Sequence, residues 1–575
     1  MTALSRAGDR GRLLDARAGL RGWRGNVLLG RPGGLWPLAS TLIAGGLALP
    51  ILTVLASLVQ PRDPLWDHLA RTVLPVYLTN TLALAVGVGL GTLLLGTGTA
   101  WLVTMCRFPG RGLFEWALLL PMAMPTYLIA YAYTDLLQFS GPVQSTLRAW
   151  TGWSRQDYWF PQIRSLGGAI FVMALVLYPY VYLLARAAFL QQSGCLLEVS
   201  RTLGRGPWRT FLTVALPLAR PALVAGAALA VMEALADYGA VQYFAVDTLS
   251  TGIYRTWFGM NSLATATQLA AWLVLMVFGV LVLERLGRGR ARYYYTTAAL
   301  RPLPTYALRR LAALLAMLGC ALPVTLGFVV PAGAFAMMTR RGGDPLWGPA
   351  FLQLASNTFL LAVLAAALAV LLALVLAYSL RLAPSPVTHL TTRLAALGYA
   401  VPGAVIAVGV LIVAGWLDNV ALGALRSALG LPPGLVFSGT LAALVFAYLV
   451  RYLTGSFTTV EASLTRIRPS LDEAARTLGH GTPSMLWRVH LPLLRGGLLT
   501  AALLVFVDVM KELPATLAIR PFNFDTLAIR VYRLATDERL AEASTAALAI
   551  VAVGLLPVLA LSMAIARARP GARDT

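Results

Sequence analysis

Lysine is almost missing from this chain. Of its 46 basic residues a single one, Lys511, is a lysine; the rest are arginines. A phosphate-binding P-loop needs Gly-Lys-Ser/Thr to cradle and neutralise phosphates. Lys511 follows Met510, so that motif is absent and ATP hydrolysis has no place here. Cysteine is scarce too. Cys106, Cys195 and Cys320 lie far apart, with neither metal spacing nor a disulfide framework. The four histidines are equally scattered, and His490, just before Pro492 and an apolar run, reads as a surface residue rather than a ligand. No nucleophile–base pair can be assembled, which argues against an enzyme embedded in the membrane. Charge is also short: 12% of residues are charged, about half the usual share of a soluble protein.

Hydrophobic residues make up 58% of the 575 positions, and mean hydropathy is +0.73. Apolar runs long enough to cross about 30 Å of hydrocarbon recur throughout. The pattern predicts an all-α polytopic membrane protein with twelve spans. They fall at approximately 36–59, 77–104, 113–138, 166–190, 217–240, 266–286, 311–333, 351–380, 393–416, 435–457, 492–513 and 544–566. The net charge of +22 follows from arginines collecting in cytoplasmic loops. No basic groove interleaved with aromatics points to nucleic acid. Residues 1–31 carry seven arginines without an apolar core, so they read as a cytoplasmic tail rather than a signal peptide. Arg285, Arg288, Arg290, Arg292, Arg301, Arg309 and Arg310 mark a central cytoplasmic linker, and Arg567, Arg569 and Arg573 a cytoplasmic C-terminus. The expected organisation is a tail at 1–35, a six-helix repeat at 36–286, a linker at 287–310, a second repeat at 311–566 and a tail at 567–575.

Two loops, 275 residues apart, carry the same pattern. Glu198-Val-Ser-Arg-Thr-Leu-Gly204 is followed after nine residues by Val214-Ala-Leu-Pro217. Glu473-Ala-Ala-Arg-Thr-Leu-Gly479 is followed after nine residues by Val489-His-Leu-Pro492. The halves also share Asn80-Thr81 with Asn357-Thr358, Pro125 with Pro402, and Asp247-Thr-Leu…Tyr254-Arg255 with Asp525-Thr-Leu…Tyr532-Arg533. Six spans per half make the repeat parallel, with its pseudo-two-fold axis along the membrane normal. Each loop is expected to form two short helices joined at a glycine. Gly479 suits a left-handed helix end. Ser470 fits the N-cap of a capping box with Glu473. Thr482-Pro483 offers the next N-cap and N1 proline. Trp208 with Phe211, and Leu486 with Trp487, give the second short helix an apolar side. A helix resting on lipid is the alternative, but duplication of the whole pattern favours a docking site for a cytoplasmic partner, presented twice.

Glu-Ala-Ala, three residues, Gly, nine residues, then an aliphatic residue two places before Leu-Pro resembles the signature of membrane subunits of binding-protein-dependent ABC importers. Glu473, Ala474, Ala475, Gly479 and Pro492 match it fully. Glu198, Gly204 and Pro217 match, while Val199 and Ser200 depart at the two alanines. The resemblance implies a type I importer permease fold in fused double-repeat form. It implies docking to two ABC ATPase subunits that carry ATP and Mg, with no cofactor on this chain. It further implies a secreted substrate-binding protein and a place in the bacterial inner membrane. Glu233-Ala-Leu-Ala-Asp237-Tyr-Gly-Ala-Val-Gln-Tyr243, Thr251-Gly-Ile-Tyr254-Arg-Thr-Trp257 and Lys511-Glu-Leu-Pro-Ala-Thr516 are most similar to ferric-iron permeases. Thiamine and phosphonate permeases are close relatives.

Four carboxylates occupy matching depths. Glu233 and Asp508 lie 35 residues after Glu198 and Glu473; Asp237 and Glu512 lie 39 after them. The spacing puts each pair at i and i+4 on one helix face. Intramembrane carboxylates face a cavity or a partner, and oxygen ligands suit a hard cation such as ferric ion. They line a path, or pair with Lys511, Arg255 or Arg533, or sit among headgroups; no metal ligand is assigned firmly. An ion-coupled transporter of six plus six helices shares the repeat and the charges, but it leaves the duplicated loop unexplained.

Overall fold

The computed structural model describes residues 35–61, 63–190, 192, 198–200, 202–288, 305–345, 348–430, 432 and 434–567. The expected N-terminal tail, most of the linker and the C-terminal tail lie outside the described residues. Among those described, the fold is helical save for one two-residue parallel bridge, Cys106–Arg107 with Tyr306–Ala307. Eleven helices are long and apolar enough to cross a membrane, and a sharply bent pair brings the number to twelve. In the first half these are Leu35–Val59, Leu74–Met105, the bent pair Arg111–Ala123 with Thr126–Thr151, Leu166–Leu190, Pro207–Ala236 and Leu263–Arg288. In the second they are Arg310–Arg341, Pro349–Leu382, Gly403–Ala428, Leu441–Thr465, Thr482–Met510 and Leu540–Ala560.

Several of these helices break or widen at a proline. The third span of each half is expected to be continuous, but both are interrupted, at Pro125 and at Pro402. The two prolines have the same backbone angles, φ −57° and ψ 143°. A proline lacks the amide hydrogen and pushes the preceding residue out of the helical region; Met124 and Val401 are accordingly extended. In the first half the two pieces turn by 91°. Three other prolines widen a helix instead. Pro217, Pro331 and Pro492 each follow a five-residue π turn, Phe211–Ala215, Thr325–Val329 and Leu486–His490. The amide just before each proline donates to the first residue of its π turn: Leu216 to Phe211, Val330 to Thr325, Leu491 to Leu486. The helix passes the proline by lengthening one turn, as π bulges do.

The two halves do not pack as separate bundles. Ala44, Leu47 and Ile51 of the first span share a core with Ala404, Val405 and Val408 of the ninth. Ser379 donates to the Trp36 carbonyl at 3.0 Å. Reciprocally, Ala313, Ala316 and Cys320 of the seventh span pack with Trp101, Tyr178 and Tyr182 of the first half. Tyr133 donates to the Leu326 carbonyl at 2.7 Å. Each half therefore lends its opening helix to the other. Glycines permit the closest crossings: a Cβ at Gly409 would stand 2.3 Å from the Pro50 carbonyl oxygen, and one at Gly327 would stand 2.7 Å from that of Leu175.

The repeated polar pairs of the sequence meet in space. Asn80 donates to the Asp247 carbonyl at 2.9 Å and Asn357 to that of Asp525 at 3.2 Å. Thr81 and Thr358 accept from the Leu249 and Leu527 amides. Each contact pins the N-terminus of a short helix, Leu249–Tyr254 or Leu527–Thr536, to the second span of its own half.

The exchange predicts a clear asymmetry among glycine substitutions. Gly409→Val should cost about 1–3 kcal/mol through overpacking and lower membrane yield and melting temperature. Gly98→Ala, which has open space around its Cβ position, should leave both unchanged. Thermal unfolding in detergent checks the pair.

Candidate functional site

Both duplicated loops are exposed and alike in backbone. Gly204 and Gly479 adopt φ +74° and +79°, the left-handed conformation expected of a helix end. The helix before Gly479, Pro469–Thr477, starts earlier than a capping box at Ser470 allows. Its N-cap is Arg468, without a side-chain bond, and Ser470 lies inside the helix, because Pro469 suits the first turn. Thr482 is likewise the first helical residue and Gly481 the N-cap, matching Gly206 before Pro207. The helix after each glycine is not a separate short one. It runs through the π turn into the fifth span of its half, so these spans begin at Pro207 and Thr482 rather than at 217 and 492.

Glu198 and Glu473 point outward, as do Ala474, Pro217 and Pro492. Ala475 and its counterpart Ser200 are buried, which explains why a small residue stands there. Ser200 Oγ lies 2.9 Å from Thr210 Oγ1. Leu203 and Trp208 in the first loop, and Leu478 and Trp487 in the second, are at least 69% exposed. Apolar side chains this bare are of the kind that meet a protein partner or lipid.

The four carboxylates come together, but not as the i, i+4 spacing implies. The helix carrying Glu233 ends at Ala236 and that carrying Asp508 ends at Met510. Asp237 and Glu512 therefore sit beyond the helix ends. There they accept from the backbone of the next short helix: Asp237 from the Ala240 amide at 2.8 Å, Glu512 from the Ala515 and Thr516 amides at 2.8 and 2.9 Å. Together with Glu233 and Asp508 they line a cavity of about 110 Å³, shared with Tyr180, Tyr399, Tyr452, Arg451 and Lys511. Glu233 and Asp508 are partly accessible. Asp508 pairs with Lys511 at 2.9 Å, and Glu233 lies 4.0 Å from Arg451. Arg255 and Arg533, the other candidate partners, bond Asp247 and Asp525 instead, each at 2.7 Å. Among the described residues no group of three or more His, Cys, Asp or Glu side chains is placed to hold a metal ion.

The repeat pattern does not single out Arg451. Its one signal is an arginine in the middle of an apolar span, which ordinarily has a partner. It also explains how the halves differ. In the first half Val176 stands at its place, and the Thr126 hydroxyl donates to Asp237. In the second half Gly403 stands where Thr126 does, and a Cβ there would meet the Arg451 guanidinium at 2.3 Å. Glycine clears the space, and Arg451 reaches Glu512 at 3.5 Å. His490 is fully buried, not exposed as its loop position implies, because a π turn carries it under the loop.

The sequence is similar to those of known proteins. Residues 92–288, from the second span through the first loop to the sixth, match the model of the binding-protein-dependent transport system inner membrane component. An Fe(3+)-transport system permease of Haemophilus influenzae is 27% identical over 506 residues, covering 86% of this chain and 91% of that protein. A molybdenum transport system permease of the same organism is 30% identical over 164 residues, 28% of this chain and 69% of that protein. Its Escherichia coli counterpart is 31% identical over 145 residues, 25% of this chain and 60% of that protein. With exposed loops of one design in both halves and relatives of this kind, the chain belongs to the family of binding-protein-dependent transport system inner membrane components.

Proposed function

We propose that this chain is the whole membrane pathway of an ATP-driven importer that carries ferric iron inward from a secreted binding protein. The observation that carries the reading is the cavity between the halves, where four carboxylates face two cations. Such a surplus of hard oxygen donors suits a hard cation. The near full-length likeness to an Fe(3+)-transport permease supports it. The exposed loops would dock two ATPase subunits, which supply ATP and Mg. Both termini and the loops would face the cytoplasm. An oxyanion cargo is the second reading, favoured by Arg451 and Lys511 in the cavity and by the molybdenum transport relatives.

The carboxylates divide by role in this proposal. Glu233 and Asp508 meet the cargo; Asp237 and Glu512 hold the backbone. Glu233→Gln with Asp508→Asn should reduce ferric uptake while membrane yield and basal ATP hydrolysis stay near normal. Glu512→Gln should instead lower yield, since breaking a buried charged pair costs about 3–5 kcal/mol. Wild-type ferric uptake by a well-expressed Glu233→Gln/Asp508→Asn variant rejects the cation path, and molybdate uptake that survives or rises in it favours the oxyanion reading.

The docking role has its own test. A β-branched side chain at a left-handed position costs about 1–2 kcal/mol, and neither glycine has a neighbour within 4 Å of its Cβ position. Gly479→Val and Gly204→Val should therefore insert normally yet lose ATPase co-purification or transport. Full coupling with both replaced removes the docking assignment. For topology, reporter fusions after residues 292 and 569 should score cytoplasmic and one at Gly342 external; an external signal at 292 breaks the six-plus-six division.

A further inference from the structure

The two loops are mounted differently. Under the second runs a buried polar chain. Arg381, near the end of the eighth span, grips Asp472 with both arms of its guanidinium: Nε to Oδ2 and Nη2 to Oδ1, each at 2.8 Å. The same guanidinium donates to the Leu464 and Ile467 carbonyls at 2.8 and 3.1 Å, where the tenth span ends. His490 Nε2 lies 2.9 Å from Asp472 Oδ1, and its Nδ1 meets the Tyr378 hydroxyl. One tautomer satisfies all four groups: a neutral imidazole donates from Nε2 to the carboxylate and accepts at Nδ1 from the phenol. Burial by itself would raise the Asp472 carboxyl, but the bonds from Arg381 and His490 outweigh it and hold the group below the usual carboxylate range. Asp472 adjoins Glu473 in the loop helix. The chain thus joins the loop to the eighth, tenth and eleventh spans at once.

The first loop has no counterpart in sequence. At the places matching Tyr378, Arg381, Asp472 and His490 stand Trp101, Thr104, Leu197 and Ala215. Trp101 packs against Phe189 and Phe211 with ring centroids 5.6 and 4.8 Å apart. Thr104 turns its hydroxyl back to the Ala100 carbonyl of its own helix. Gln192, just past the fourth span, adds one buried bond, from Nε2 to the Ala215 carbonyl at 2.8 Å; the remaining contacts are non-directional and let surfaces slide, whereas a forked arginine–carboxylate bond fixes orientation.

We infer that Arg381, Asp472, His490 and Tyr378 are positioning residues that make the second loop the stiff lever between an ATPase and the translocation helices, while the first loop is a compliant mount. The inference rests on the docking assignment above. Coupling therefore runs mainly through the second half of the chain. Asp472→Asn and Arg381→Gln each break the fork, whereas the double variant pairs two neutral amides.

The test uses the whole transporter in proteoliposomes, with its ATPase subunits and binding protein. The readout is the ratio of ATP hydrolysis with and without the binding protein, which needs no knowledge of the cargo. Either single variant should co-purify its ATPases normally yet lose about tenfold of that stimulation, within the usual range of coupling between sites. The Arg381→Gln/Asp472→Asn pair should recover part of it. Thr104→Val, at the place matching Arg381, should change nothing. Should the single variants express poorly, Tyr378→Phe removes only one hydroxyl and should move the ratio in the same direction by less. Wild-type stimulation in the single variants, or an equal loss in Thr104→Val, overturns the stiff-lever role. Loss of ATPase co-purification in the Asp472→Asn variant also overturns it, by assigning the clamp to docking alone. The Gly204→Val/Gly479→Val variant reports on the docking assignment independently, so the two failures are distinguishable.

Discussion

A helix that starts afresh inside hydrocarbon leaves its first-turn amides unpaired where water cannot reach them, and in this protein carboxylates receive them. Asp237 and Glu512 stand at the ends of the two fifth spans and accept the amides of the helices immediately after them. Those helix ends lie beside the breaks at Pro125 and Pro402, so Asp237 also ties down the third span, while Glu512 is tied to the tenth. Thr126 donates to Asp237, and Arg451, in the space Gly403 leaves, reaches Glu512. Four interrupted helix segments thus converge on a cavity whose wall is irregular backbone, tolerated only because it is buried in protein.

That constraint makes the cavity polar before any cargo is considered. Two of its carboxylates hold backbone amides, and the remaining two, Glu233 and Asp508, are left facing the cations. The cations beside them neutralise charge that would otherwise be costly in a membrane. The halves reach this balance by different means, a hydroxyl in one and a guanidinium in the other. The same division appears under the two duplicated loops, where an aromatic mount in one half contrasts with a charged one in the other. One chain with two unequal halves lets each position specialise, which two copies of one subunit could not do.

Exchange of the opening helices ties the halves together. The first span buries its face on the ninth and the seventh on the first half, so neither repeat completes its own core. The unit of packing is therefore displaced by one helix from the unit of sequence.

Composition and periodicity alone determined the membrane class and the repeat, because twenty-residue apolar runs and recurrent loop patterns are local properties. The left-handed Gly204 and Gly479 were legible for the same reason: the conformation depends on the residue itself. What the sequence left undecided were the contacts between distant segments. That His490 is buried, that Arg451 serves Glu512 and that Asp237 caps a helix instead of sharing a face with Glu233 depend on where the helices stop. Pro125 and Pro402 announced a disturbance, but a proline can break, kink or widen a helix, as Pro217 and Pro492 do. Only packing against neighbours that satisfy the freed amides chose among these outcomes, and that choice brought the four carboxylates into one cavity.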